Sequence, residues 1–312
     1  MRKGLIIFLF VVLTIMPTTV YAGNNEFIYY TNSNGVELTK QQYSNLLRGF
    51  DVDIINSMTQ EMIDLYKNDG ELNNYCENEA YILSDETYDV SGNLKSVKET
   101  KLTEKQAKEY LKNKKIDVSE DNSANSVTGI SLLSLSNWSD THTTAMKKIT
   151  MNVTTGASVS YKSVTLTTEW LILPSIRSYD VIDLMPGSTS FTINNTCISG
   201  YQKADSTTYS YSYGSSNTKI TSTGVGISMN LSNSATSSLV CSITVIFITG
   251  ADPFYAYGSY QHATSTVTLS ESQNYSINSG GYGGVIDFNS SVKSKYDNTS
   301  GLSVRWSLSD II

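Results

Sequence analysis

From Lys147 to the C-terminus, apolar and polar residues alternate in one segment after another, and no apolar stripe at helical spacing interrupts them. A period of two sends alternate side chains to opposite faces of a strand, so this part of the chain is committed to sheets. The alternating segments run over 147–154, 161–173, 189–198, 206–213, 219–231, 238–249, 255–269, 273–278, 283–288 and 302–308, with turn residues between them. Short strands at such regular spacing predict an antiparallel β-sandwich with a jelly-roll or Greek-key path rather than a closed barrel. Composition agrees. Ser, Thr and Tyr abound over residues 138–312, which carry only 10 acids and 9 bases, and Thr and Tyr suit a half-buried pleated surface.

Residues 23–137 read differently, with 19 acids and 11 bases. In Leu38-Thr39-Lys40-Gln41-Gln42-Tyr43, Thr39 and Gln42 form the reciprocal pair of a capping box, flanked by Leu38 and Tyr43 as a hydrophobic staple. Gly49 fits the stop of that helix. Asp51 then caps a second helix whose Ile54, Ile55, Met58, Met62 and Leu65 make one apolar stripe. The runs Tyr75–Leu83 and Leu94–Leu102 flank the turn Asp89–Asn93 and predict a hairpin. Thr103 and Gln106 repeat the capping pattern ahead of a lysine-rich third helix over 104–115. The chain therefore divides into a small α+β module at 23–116, a polar linker at 117–137 and an all-β sandwich at 138–312. The module has its own caps and a tether a protease could reach, which makes it a candidate pro-segment.

Residues 1–22 have the grammar of a secretory signal peptide: Arg2 and Lys3 first, an apolar run from Leu5 to Leu13, then Val20 and Ala22 before a cut at Gly23. The run is too short to span a bilayer, and no later one reaches ~18 residues, so no integral membrane segment is expected after cleavage. Removing the leader leaves 20 bases against 29 acids, a net charge of −9. Repulsion from phosphate argues against nucleic acid as a partner. The expected location is secreted, outside the cytoplasm.

Three features carry functional readings. Tyr209, Tyr211 and Tyr213 alternate with Ser and share one strand face, and Tyr255 and Tyr257 form a second aromatic group. Exposed rings beside hydroxyls suit a glycan, because a ring covers the apolar face of a pyranose while its neighbours bond the hydroxyls. Aromatic patches equally suit a protein partner, and the bland alternative is tyrosines packed in the core. Next, segment 219–249 reads as a hairpin with Val225, Ile227, Met229 and Leu231 on one face, then Leu239, Cys241, Ile243, Val245 and Phe247. That pattern fits a membrane-inserting β-hairpin, and also an ordinary sandwich strand pair. Third, Cys197 and Cys241 both point to a core face, so a disulfide between them competes with two buried free thiols.

Signals of catalysis are thin. The chain has only two histidines, His142 and His262, too few for a histidine metal site, and neither HExxH nor GxSxG occurs. No cofactor or metal is implied. His262 beside Cys197 or a serine would make a nucleophile pair, but a strand histidine bonded to a backbone carbonyl is the simpler reading. Glu169, Asp180 and Asp183 lie near Trp170 and Tyr179 in sequence, as in glycoside hydrolysis, although turn capping by the aspartates fits the neighbouring Pro174 and Pro186 better.

The runs LTKQQYSNLLRGFDVDIINSMTQEMIDLY and ETYDVSGNLKSVKE, with FYAYGSYQHATSTVTLSESQNYSI and GGYGGVIDF further on, resemble uncharacterised exported proteins of Gram-positive bacteria. The resemblance implies export and the two-part layout, and no activity. The sequence as a whole is read as a secreted, non-catalytic binding protein acting at the cell surface or beyond it, on a cell-wall or other glycan or on a protein. The runner-up is a pore former using hairpin 219–249; a secreted hydrolase comes third.

Overall fold

The computed structural model describes residues 27–121, 141–158, 160–187, 192–278, 285–297 and 301–310, so the leader and most of the linker lie outside the described residues. The N-terminal part runs β1 (Ile28–Thr31), β2 (Glu37–Thr39), α1 (Lys40–Leu46), α2 (Val52–Ser57), α3 (Gln60–Tyr66), β3 (Asn73–Tyr88), β4 (Leu94–Leu102) and α4 (Glu104–Asp121). Then follow β5 (Thr141–Thr155), β6 (Tyr161–Ile172), β7 (Tyr179–Pro186), β8 (Thr192–Ala204), β9 (Thr207–Ser212) and β10 (Thr218–Ile220). The chain continues with β11 (Val225–Asn230), β12 (Leu239–Ile248), β13 (Phe254–Gln261), α5 (Leu269–Ser272), β14 (Tyr275–Asn278), β15 (Val285–Phe288), α6 (Ser290–Lys293) and β16 (Leu302–Trp306).

Two antiparallel sheets carry the fold. One has the order β4-β3-β5-β6-β12-β8-β9 and the other β10-β11-β7-β13-β16. The chain switches sheets repeatedly, and β12 inserts between β6 and β8, as Greek-key paths do. Their inner faces enclose the main core, including Ile149, Met151, Val164, Leu166, Ile182, Leu184, Ile227, Ile243, Val245 and Trp306. Each outer face is also covered. Helices α1 to α3 lay Leu46, Ile55, Met62 and Tyr66 over Cys197, Tyr201 and Ile246 of the larger sheet, and Ala107 of α4 packs on Tyr81, Leu83 and Met146. The β14–β15 hairpin and α6 cover Val181 and Met185 of the smaller sheet.

The local signals fold only in part: Asp51 precedes α2 without a side-chain cap bond, and Gly49 follows α1, which ends at Leu46, without a left-handed φ. Thr39 caps α1 with its reciprocal Gln42 partner. The second helix is instead broken in two, because Thr59 turns its hydroxyl to the Met62 amide (3.3 Å) and starts α3. A residue that can bond its own backbone competes with helix continuation. The apolar stripe survives the break, with Ile54, Ile55, Met58 and Met62 buried.

Three sequence expectations are corrected. Strand β7 occupies the stretch read as aspartate-capped turns; it is central in its sheet and buried on both faces, so alternation is muted there. Residues 219–249 do not form a hairpin, since β11 lies in the five-stranded sheet and β12 in the middle of the seven-stranded one. Both faces of β12 are buried, which removes the lipid-facing side a pore hairpin needs. Nor does residue 116 bound the sheet. Strand β3 pairs with β5 from Asn73↔Thr155 to Tyr88↔Thr141, so the hairpin placed in the N-terminal module extends the sandwich.

Candidate functional site

Strand β9 is the end strand of the seven-stranded sheet, paired to β8 with Tyr209 opposite Gln202 and Tyr211 opposite Gly200. Tyr209 is 48% exposed, and Tyr213, in the turn after β9, is 49% exposed. Tyr211 leans inward against the core, and burial first, then the nearby Cys241, Tyr179 and Tyr209, push its phenol well above the usual value. The expected three-ring face is thus two exposed rings flanking one half-buried ring. Tyr255 and Tyr257 belong elsewhere, on the outer face of β13: Tyr255 is 40% exposed opposite Arg305, and Tyr257 packs beside Met185. A Cβ on Gly187 would fall 2.7 Å from Tyr255 and 2.8 Å from Tyr257, so only glycine lets the chain pass so close. The two tyrosine groups lie on different sheets and do not form one surface.

The interior holds what the sequence reading missed. Lys147 stands between Ala145 and Ile149 in the inward phase of β5 and is completely buried. Its ammonium meets the Asp297 carboxylate Oδ2 directly and lies 3.5 Å from Glu99 Oε1. The rings of Trp170 and Tyr260 each lie 5.6 Å from Lys147 Nζ. Asp297 is fixed in turn, because its Oδ1 accepts the His262 backbone N–H (2.8 Å) and its own N–H donates to the His262 carbonyl (2.9 Å). His262 Nδ1 pairs with Asp180 Oδ2 at 2.9 Å, the Ala263 N–H donates to Asp180 Oδ1 (2.9 Å), and Tyr260 donates its hydroxyl to Oδ2. Trp170 Nε1–H donates to the Tyr260 oxygen (3.2 Å) and closes the network.

Electrostatics hold these groups together. Burial alone pulls the Lys147 ammonium down, but Asp297, Glu99 and Asp180 push it up and prevail. Burial likewise disfavours charged His262, and Asp180 reverses that, so its value is raised. Removing either member of such a buried pair costs on the order of 3–5 kcal/mol, because the other charge is left in a low-dielectric interior. A second buried lysine, Lys162, sits 4.2 Å over the Trp306 ring, and burial lowers its pKa. The signal for Lys147 was present in the sequence: a lysine in the inward phase of an otherwise apolar strand face.

The remaining candidates are settled by geometry. Cys197 and Cys241 are free thiols. The register pairs Cys241 with Gln202 and Val245 with Ile198, so Cys241 looks into the sandwich while Cys197 faces the helices. Opposite faces of one sheet cannot share a disulfide. Burial pushes the Cys197 thiol up to about 11 and the Cys241 thiol higher still, and both are therefore inert. His262 takes a carboxylate partner rather than a carbonyl. Asp180 and Asp183 sit on opposite faces of β7, Asp183 bonded to Ser259, so neither caps a turn. Among the described residues no cluster of His, Cys, Asp and Glu has the arrangement of a metal site, and no helix is long and apolar enough to cross a membrane, which says nothing of β-barrels.

The architecture defines the class: a two-sheet antiparallel β-sandwich with helices α1 to α4 over the outer face of the larger sheet and the β14–β15 hairpin and α6 over that of the smaller. No protein-family model matches the chain. No curated protein matches it either. Among solved structures, the collagen-binding domain of a Staphylococcus aureus adhesin is similar at 11% identity, covering 32% of this chain and 75% of that one with a TM-score of 0.23. The collagen-binding domain of the Erysipelothrix rhusiopathiae surface protein RspB is 7% identical, covering 38% of this chain and 55% of that one with a TM-score of 0.24.

Proposed function

We propose that this is an exported, non-catalytic binding protein that works at the cell surface or beyond it, and that its ligand docks on the β9 edge. The single observation that carries this reading is the exposure of Tyr209 on an end strand of the larger sheet and of Tyr213 in the turn that follows it. Large rings with few rotatable bonds give contact area at low entropic cost, and such residues dominate binding surfaces. Thr207 shares the strand face of Tyr209 and supplies a hydroxyl for sugar hydroxyls or for a partner's backbone, while Thr208, Ser210 and Ser212 alternate to the other face of β9. The enclosed position of the Lys147, Asp180, His262 and Asp297 cluster fits the same reading, because those groups face the core and not a substrate-sized opening.

The test is retention of purified mature protein on isolated cell walls, on a glycan array and on extracellular-matrix proteins, comparing wild type with a Y209S/Y213S double variant. The variant should fold normally and lose at least tenfold in affinity for whichever surface retains the wild type. Equal retention of both proteins would overturn the placement on β9.

A further inference from the structure

We propose that Lys147 and Asp297 become covalently joined in the folded protein, through an amide between Lys147 Nζ and Asp297 Cγ formed by loss of water with Glu99 as proton carrier. Every requirement of that condensation is met by residues already in place. The nucleophile and the electrophile are in contact, Nζ against the carboxyl group. Both side chains are shut away from solvent, at 0% and 1% exposure. Asp297 cannot rotate freely, because the His262 backbone N–H holds Oδ1 at 2.8 Å and leaves the other oxygen toward the lysine. A second carboxyl, Glu99, stands 3.5 Å from the same Nζ. Two aromatic rings, Trp170 and Tyr260, complete the walls around the amine.

The step balances without any added reagent. Within the buried triad a proton passes from the Lys147 ammonium to the Asp297 carboxylate, giving a neutral amine facing a neutral acid; the surrounding carboxylates favour the ammonium, so this neutral pair is the minor form, and it is the form that reacts. The Nζ lone pair attacks Asp297 Cγ and a C–N bond forms. Glu99 accepts a proton from that nitrogen and delivers it to the departing hydroxyl, the C–O bond breaks, and one water leaves. Nothing is oxidised or reduced, and Glu99 ends as it began. The water has a way out, since Glu99 also lines a cleft of about 170 Å³ with Ala80, Ile82, Lys101, Gly301 and Leu302. Condensation of a free amine with a free acid is unfavourable in water. Groups prepositioned by a fold react with effective molarities of about 10⁵–10⁸ M, and that advantage drives the balance toward the amide.

The topology gives the bond a purpose. Lys147 belongs to β5 in the middle of the larger sheet, and Asp297 precedes β16 at the end of the smaller one, 150 residues further on. An amide there would tie the two sheets together and close most of the sandwich into one loop. A protein that binds surfaces outside the cell, with no disulfide between Cys197 and Cys241, would gain mechanical and proteolytic resistance from it.

Intact mass of the purified mature chain, under denaturing conditions, tests the proposal directly. Wild type should weigh one water less than its sequence requires, and trypsin should fail to cut after Lys147 and release one branched peptide joining Lys147 to Asp297. K147M and D297A should show full mass. E99Q keeps the shape of the triad and should fold, yet remain at full mass with separate peptides. Should K147M or D297A fail to fold, wild type and E99Q still decide the matter. Wild type at full sequence mass after prolonged incubation of the folded protein would overturn the bond. A water-depleted E99Q would overturn the role given to Glu99.

Discussion

Asp183 makes stability depend on pH in a direction opposite to most carboxylates. It is fully buried on the outer face of β7, where its Oδ1 accepts the Ser259 N–H at 2.9 Å and the Ser259 hydroxyl. Burial raises its pKa from 3.8 to about 7, against the lowering effect of the two Ser259 bonds. The folded state therefore holds a proton between pH 4 and pH 7 that the unfolded chain has already released. Stability contributed by this protonated carboxyl is complete below about pH 4 and is lost as pH rises through about 7. Moving the ionisation that far costs the folded state on the order of 4 kcal/mol once Asp183 is charged. Asp183→Asn keeps an oxygen for Ser259 and removes the charge. Urea unfolding of wild type and D183N at pH 4.5 and pH 8.5 isolates the group, because every other titration is common to both proteins. D183N should match wild type within about 1 kcal/mol at the acid end and exceed it by roughly 2–4 kcal/mol at the alkaline end. An equal difference at the two pH values would refute the reasoning.

Three further outcomes follow from the packing. Tyr211→Ala should lower stability by about 2–4 kcal/mol, since its ring leans on the core, whereas Tyr209→Ala and Tyr213→Ala should each change it by less than about 0.5 kcal/mol in thermal or urea unfolding. The thiols of Cys197 and Cys241 should react with a thiol reagent only after denaturation, and dithiothreitol should leave the melting temperature unchanged, because both are buried and unbonded. A 138–312 fragment should be insoluble or unfolded by circular dichroism and size-exclusion chromatography, because it loses β3 and β4 and uncovers Cys197, Tyr201 and Ile246 on the outer sheet face.

Much of this was legible in the sequence where local rules decide. The Thr39–Gln42 box, the Asp89–Asn93 turn and the alternation of β5, β6 and β12 are each written within a few residues, and each folds accordingly. What pairs with what is a matter of long-range register, and there the reading failed. Strand β3 looked like half of a self-contained hairpin because its partner β4 is adjacent, while its second partner β5 lies beyond the linker. Cys197 and Cys241 were both rightly placed facing apolar layers, but alternation does not say which of two buried faces a strand turns to which layer. Strand β7 escaped notice because Asp180 and Asp183 are paired with groups from β13 and the chain following it, partners that only the fold supplies. The inward Lys147 obeys the same logic: its acidic partner is 150 positions away.

The central claim, that ligand docks on the β9 edge, is tested most directly by amide hydrogen exchange of the mature protein with and without the surface component that retains it. Binding should slow exchange across Thr207–Ser212 and at Tyr213 while leaving the interior strands β6 and β12 unchanged. Saturating ligand that protects other segments and leaves β9 as it was would contradict the account.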